Sequence, residues 1–229
     1  MVAVTVVPDP VTLVPYDASV IAELASEAAA TAGFPDDVDV TLEVDEVLPH
    51  PLTGSFVEVR AQGSGSSAGR SRTGAEAERA VVTAGLHIWM SGANFEDPKR
   101  PLKFQQALAR AELVRAFLRA GDRTRPEFAG AVADEDLTDR QRAAWDVWTE
   151  GRAERLGVPE TRPDRLRYHY RLHHGFNDVA DAVFDRLWET GALTWDDLEQ
   201  ACARTEAADV RDQPKKTALR KEQLRAPKP

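Results

Sequence analysis

A strict alternation of apolar and polar residues between positions 38 and 45 constrains the fold more than any other feature. The apolar members are valines and one leucine, and each polar member is an aspartate, a threonine or a glutamate. In order, the segment runs Val38, Asp39, Val40, Thr41, Leu42, Glu43, Val44 and Asp45. Successive side chains of a strand point to opposite faces. The segment therefore predicts a strand with one buried face and one acidic face.

Shorter signals around this strand predict a small α/β unit. Val4 and Val6 flank Thr5 before two prolines, which indicates a short first strand. Asp17 is suited to cap a helix over 18–32, and its predicted buried stripe is Val20, Ile21, Leu24, Ala25 and Ala28. A third strand is predicted over 55–61, and we expect it to pair with the 38–45 strand as a hairpin with a long loop.

From residue 73 onward the pattern favours helices. Thr73 and Glu76 have the spacing of a capping box, and a helix is predicted from there to about Met90. The apolar arc of this helix is wide, so we expect it to pack on both the sheet and the helices that follow. Another helix is predicted over 101–120, with Phe104 on its buried face and Gly121 at its end. Cap residues then indicate helices over 138–156, 161–175, 177–191 and 194–205.

These elements predict an α+β fold. We expect a small three-strand sheet with one helix at the N-terminus, followed by a bundle of about six helices. The expected organisation is an α/β unit at 1–62, a helical region at 63–205 sharing one core with it, and a disordered basic tail at 206–229. That tail lacks aromatic residues and has few apolar ones, so it cannot bury enough surface to offset the entropy of ordering.

Charge is distributed unevenly along the 229 residues and restricts the choice of partners. The formal net charge is -9, and residues 1–62 contain eleven acids against one base. Residues 206–229 contain seven bases against four acids. An acidic N-terminal third repels nucleic acid and anionic lipid, so neither is expected as a partner.

Other features of composition exclude several classes of protein. No apolar run approaches the roughly 20 residues that cross a bilayer, and no basic residue precedes the apolar start of the chain, so we expect a cytoplasmic protein. Cys202 is the only cysteine, which excludes an internal disulfide and a cysteine-built zinc site.

Two histidines one helical turn apart are the clearest candidates for metal ligands. His169 and His173 stand at i and i+4 of a predicted helix, so both imidazoles can reach one ion. Tyr170 occupies the position of the catalytic glutamate in the H-E-x-x-H motif. A third ligand is needed, and the candidates are His87, His174, Asp178 and Asp181. The alternative is that these histidines are structural or solvated, and zinc is the cofactor that the metal hypothesis implies.

The segment Thr83-Ala-Gly-Leu-His87 has the length of that zinc motif, within a predicted order of strand, helix, two strands and helix. This arrangement resembles small zincin metallopeptidases. Only His87 matches the motif, because Thr83 and Ala84 replace its first histidine and its glutamate. The resemblance therefore implies a zincin-like scaffold that has lost the residues needed to activate water.

Two loops are candidates for binding. The glycine-rich stretch at 63–72 is similar to a phosphate loop but is one residue short and has Arg70 in place of lysine, so a flexible connector is favoured. The segment 94–103 carries two acids, three bases and two prolines between two predicted helices. It is suited either to form internal ion pairs or to recognise a partner, and its candidate binding residues are Glu96, Asp97, Lys99 and Arg100.

Two functions are compatible with these patterns. The first is a non-enzymatic binding or interaction protein that engages an unknown protein or small molecule through the acidic sheet face or the 94–103 loop. The second is a metal-dependent hydrolase that uses His169, His173 and His87.

Overall fold

The structure is a computed structural model that describes residues 2–8, 17–36, 38–47, 53–60, 83–158 and 162–209. It describes only the backbone of residues 53–60, 83, 84 and 101. The chain divides into two compact units, 1–124 and 125–229. The boundary expected after residue 62 falls in a stretch outside the described residues. The glycine-rich stretch at 63–72, the Thr73–Glu76 capping box and residues 210–229 of the expected tail lie outside the described residues.

The first unit is built on a four-stranded sheet. Its strands are β1 (Val4–Val7), β2 (Val40–Asp45), β3 (Thr53–Arg60) and β4 (Thr83–Ser91). Their order across the sheet is β1-β2-β4-β3, in which β1, β2 and β4 run parallel and β3 runs antiparallel to β4. The expected hairpin of β2 with β3 is therefore wrong, because β4 lies between them.

The helix that we predicted to reach Met90 is wrong, because Thr83–Ser91 forms strand β4. Leu86, Ile88 and Met90 are buried, and the residues between them are only partly buried. This alternation has the period of a strand. Gly85 and Trp89 on the other face made the apolar arc look continuous, and short apolar segments are ambiguous between helix and strand for this reason. The central position between β2 and β3 is a long-range pairing that no local signal encodes.

Two helices pack against this sheet. Helix α1 (Ala18–Thr31) begins where expected, with the Asp17 carboxylate accepting a hydrogen bond from the Ser19 N–H. Its predicted stripe is buried except for Val20, which is 39% exposed. Helix α2 spans Gln106–Thr124, so Gly121 lies inside it and does not end it. The predicted start at 101 is wrong because the backbone there is extended.

The second unit is helical. It contains α3 (Asp139–Arg155), α4 (Pro163–His174), α5 (Asp178–Glu189) and α6, which spans 195–209 in the described part of the chain. Three of the predicted N-terminal caps are confirmed. The fourth, at residue 161, lies outside the described residues, and Arg162 at the N-cap position of α4 makes no capping bond. Thr138 and Gln141 form a reciprocal capping box, Asn177 accepts from the Ala180 N–H, and Thr194 and Asp197 bond reciprocally at the start of α6.

The core of the second unit is aromatic. Phe128 stacks on Trp148 at 5.6 Å between ring centroids, and Trp145 and Trp195 pack beside them. Helix α3 also caps the end of α5, because the Trp148 indole N–H donates to the Thr190 carbonyl at 3.0 Å. The Arg155 guanidinium donates to the Trp188 and Thr190 carbonyls. These bonds satisfy acceptors that a helix end leaves unpaired.

The α+β class predicted from the sequence is confirmed. Within the described residues, two α-helices belong to the sheet-bearing unit and four to the helical unit.

Candidate functional site

A small hairpin that follows β4 contains the residues predicted to bind a partner. Its strands are β5 (Glu96–Asp97) and β6 (Arg100–Phe104), which pair antiparallel. Asp97 organises the turn, because its carboxylate accepts from the Lys99 N–H at 2.9 Å and from the Arg100 Nε at 2.8 Å. These two donors hold the pKa of Asp97 below its usual value. The segment thus forms an internal ion pair, between Asp97 and Arg100.

Glu96 also bonds within the hairpin. Its Oε2 accepts from the backbone N–H of Leu102 at 2.7 Å. This bond crosses the hairpin and fixes the backbone at Leu102. Both carboxylates of the segment therefore accept hydrogen bonds within the hairpin. The side chains left to contact a partner belong to its other residues.

Leu102 is the unusual residue of this hairpin. Its φ is 64°, which is the left-handed region, and its side chain is 62% exposed. A bulky residue other than glycine rarely adopts this conformation, which costs about 1–2 kcal/mol. Lys99, Arg100 and Lys103 are also exposed. The hairpin thus presents one apolar side chain within a basic rim. Sequence reasoning missed Leu102, because nothing local distinguishes it from the leucines around it.

The acidic sheet face is the other predicted binding surface. The Glu43 Oε2 of β2 lies 2.8 Å from the His87 Nε2 of the neighbouring β4. Asp45 and Trp89 are partly buried positions of the same two strands. A carboxylate–imidazole pair therefore stands on this face, and the side chain of His87 is 20% exposed.

The three histidines predicted to bind metal do not form one group in the described part of the chain. His87 belongs to the first unit and lies on a strand, so the helix that the zincin resemblance requires is absent at this position. His169 is exposed on α4, and the His173 Nδ1 lies 3.9 Å from the Asp139 Oδ2. No three His, Cys, Asp or Glu side chains among the described residues are placed to hold a metal ion.

Two candidates for the third metal ligand have structural partners instead. The Asp181 carboxylate accepts two bonds of 2.7 Å from Arg171, and this pairing lowers the pKa of Asp181. His174 is completely buried and stacks on Tyr170 at 3.9 Å between ring centroids. Its Nε2–H donates to the Arg140 carbonyl at 2.9 Å, and the Thr205 hydroxyl lies 2.6 Å from its Nδ1.

This environment keeps His174 neutral at physiological pH. Burial lowers the pKa of His174 to about 4, because the charged ring would lose its solvation. The carbonyl of Arg140 accepts only, so Nε2 carries the proton of the neutral ring. Of the three histidines on α4, His169 is thus exposed, His173 is partly buried and His174 lies in the core.

An open cleft of about 610 Å³ lies beside His173 in the second unit. Its walls come from the start of α3, the end of α4 and one face of α6. Asp139, Glu199 and Glu206 make it acidic. Cys202 also borders it, and burial raises the pKa of this thiol to about 12. The thiol is therefore protonated and poorly nucleophilic.

Comparison with protein-family models, with curated proteins and with solved structures finds no match. Among the described residues, no helix is long and apolar enough to cross a membrane.

Proposed function

We propose that this chain is a non-enzymatic interaction protein that binds an acidic partner surface through the hairpin at 96–104. The observation that carries the proposal is Leu102, a large apolar side chain held exposed on a left-handed backbone. Strained backbone conformations persist where surrounding contacts hold them, and they cluster at functional sites. The Glu96 carboxylate supplies such a contact on the Leu102 N–H.

The chemistry of the hairpin defines the partner. An exposed leucine is suited to a small apolar pocket, and buried apolar anchors contribute most of the binding energy of many interfaces. Lys99 and Lys103 beside it favour a pocket with an acidic rim, because complementary charge steers association. The partner is therefore a protein with an apolar pocket bordered by carboxylates.

Site-specific photo-crosslinking tests the proposal. A photoreactive amino acid at position 102 should capture a discrete partner, and Lys99→Glu with Lys103→Glu should abolish that adduct. The matched control places the same group at Val47, which is 78% exposed in the same unit. The same adduct from position 47, or an adduct at 102 that survives both charge reversals, would contradict the proposal.

A glycine substitution separates binding from folding. Leu102→Gly removes the anchor but suits the positive φ, so it should weaken partner binding by about 2 kcal/mol while leaving the free energy of unfolding unchanged or higher. Leu102→Ala should weaken binding equally without the gain in stability. Binding is measured by calorimetry with the captured partner, and stability by urea unfolding.

A further inference from the structure

A row of exposed apolar residues follows one side of α4 in the second unit. Tyr168, Leu172 and Phe176 are 54%, 52% and 55% exposed. Tyr168 and Leu172 are one helical turn apart, and the Phe176 ring packs edge-on against Tyr168 at 5.9 Å. We call these three residues the α4 face. Contiguous exposed apolar patches of this kind mark interaction sites.

The two ends of the α4 face carry opposite charge. At the start of the helix, Arg162 and Arg165 are exposed, with Asp164 between them. At its end, Leu172 and His173 border the cleft whose walls include Asp139, Glu199 and Glu206. The remaining base of that cleft, Arg140, is bonded to Asp209 at 3.0 Å and so does not neutralise these three carboxylates.

We infer that the α4 face is the interface of a homodimer, in which a second copy packs its own α4 antiparallel. A two-fold axis pairs each surface with itself, so a face that is basic at one end and acidic at the other is complementary to its own antiparallel copy. The apolar residues of both copies then meet at the centre. Charged residues form the rim, which is the usual anatomy of an interface.

Helix geometry places the basic end of one α4 opposite the acidic end of the other. With the axis between Tyr168 and Leu172, Arg165 of one copy lies opposite Gly175 of the other, because each residue advances about 1.5 Å. Gly175 directly follows the end of α4, two residues beyond His173, which lines the acidic cleft. The Arg165 guanidinium therefore enters the cleft of its partner, and the symmetry produces this contact twice. The proposal does not depend on the hairpin at 96–104.

Sedimentation velocity of the full chain tests the inference. We expect a dimer at about 100 μM that dissociates on dilution, as is normal for an interface of modest area. Leu172→Glu should give a monomer by placing two carboxylates at the axis. The control is Leu156→Glu, since Leu156 is 44% exposed in the same unit but lies outside the α4 face. Phe176→Ser provides a second interface variant if Leu172→Glu is unfolded by circular dichroism.

Charge exchange tests the antiparallel arrangement. Arg165→Glu, or Glu199→Arg with Glu206→Arg, should each raise the dimer dissociation constant about tenfold through like-charge contacts. The triple variant should recover the wild-type constant, because both contacts are restored with the signs reversed. A wild-type chain that is monomeric at about 100 μM, a dimer insensitive to Leu172→Glu, or a triple variant without recovery would each overturn the inference.

Discussion

Two glycines inside helices, one in each unit, have opposite surroundings. A Cβ on Gly121 of α2 would lie 3.5 Å from the Phe34 ring, which is ordinary contact. A Cβ on Gly151 of α3 would lie 2.2 Å from the backbone oxygen of Trp188. In the sheet-bearing unit the helix is thus separated from its neighbour by side chains. In the helical unit, α3 touches the backbone of α5 directly.

This difference explains how the second unit is held together. The close approach at Gly151 allows Trp148 and Arg155 of α3 to reach the terminal carbonyls of α5. Hydrogen bonds and aromatic packing therefore stabilise the same interface. The unit should tolerate change poorly at the contact of α3 with α5.

The largest expected effect is that of Gly151→Ala. The added methyl cannot avoid the Trp188 carbonyl without separating α3 from α5, so we expect a loss of about 3 kcal/mol. Tryptophan fluorescence during urea unfolding measures it, since four of the five tryptophans lie in 125–229. A loss below about 1 kcal/mol would show that α3 and α5 pack less tightly than the 2.2 Å approach at Gly151 requires.

The next effect is a dependence on pH that comes from His174. Below about pH 6.5 the unfolded chain protonates this ring, but the folded chain excludes the proton until about pH 4. Acid therefore favours unfolding across this window, by a total on the order of 3 kcal/mol. Stability is fully retained above the window.

Thermal unfolding between pH 7 and pH 4 measures this effect. His174→Gln should lower stability at pH 7 but flatten the dependence, because glutamine does not titrate. The carboxylates with lowered pKa values, such as Asp181 and Asp197, lose their contribution only at lower pH. An equally steep pH dependence in His174→Gln would assign the effect to other groups.

A smaller effect is expected at Tyr170. Its side chain is 1% exposed, and its hydroxyl has no hydrogen-bond partner among the described residues. Tyr170→Phe removes an unsatisfied polar atom and keeps the stacking on His174, so we expect a gain of about 1 kcal/mol. Tyr168→Phe is the control, measured at a concentration at which the chain is a monomer, because that ring is 54% exposed and should then leave stability unchanged. A loss of stability in Tyr170→Phe would reveal a partner for the hydroxyl.

The smallest effect belongs to Gly121→Ala. Alanine has the higher helix propensity and the site has room, so we expect a gain of up to about 1 kcal/mol. Hydrogen exchange of α2 amides reports it, since tryptophan fluorescence depends mainly on the other unit. A destabilised Gly121→Ala would remove the contrast between the two glycines.

The helices of the second unit were predictable to within a few residues because their ends are set by local chemistry. The side chains of Thr138, Asn177 and Asp197 bond to backbone groups three positions away, and such contacts are visible in the sequence. The start of α1 at Asp17 was predictable for the same reason.

The elements that failed depend on distant partners. The segment 83–91 is apolar on both sides, and only its pairing with β2 and β3 makes it a central strand. Phe104 lies in β6 because that strand pairs with Glu96, which the apolar spacing of 104–118 could not reveal. The candidate site followed the same rule, since the sequence singled out the 94–103 segment, whereas the left-handed backbone of Leu102 is visible only in the structure.

By itself, therefore, the sequence determined the α+β class, most of the helix caps and the mixed-charge segment before α2. Each of these depends on interactions between residues close along the chain. Tertiary structure alone decided the strand order, the separation of His87 from the α4 histidines into two units, and the burial of His174 against Tyr170 and Thr205. These features depend on which distant segments meet, and the pattern of neighbouring residues does not encode that choice.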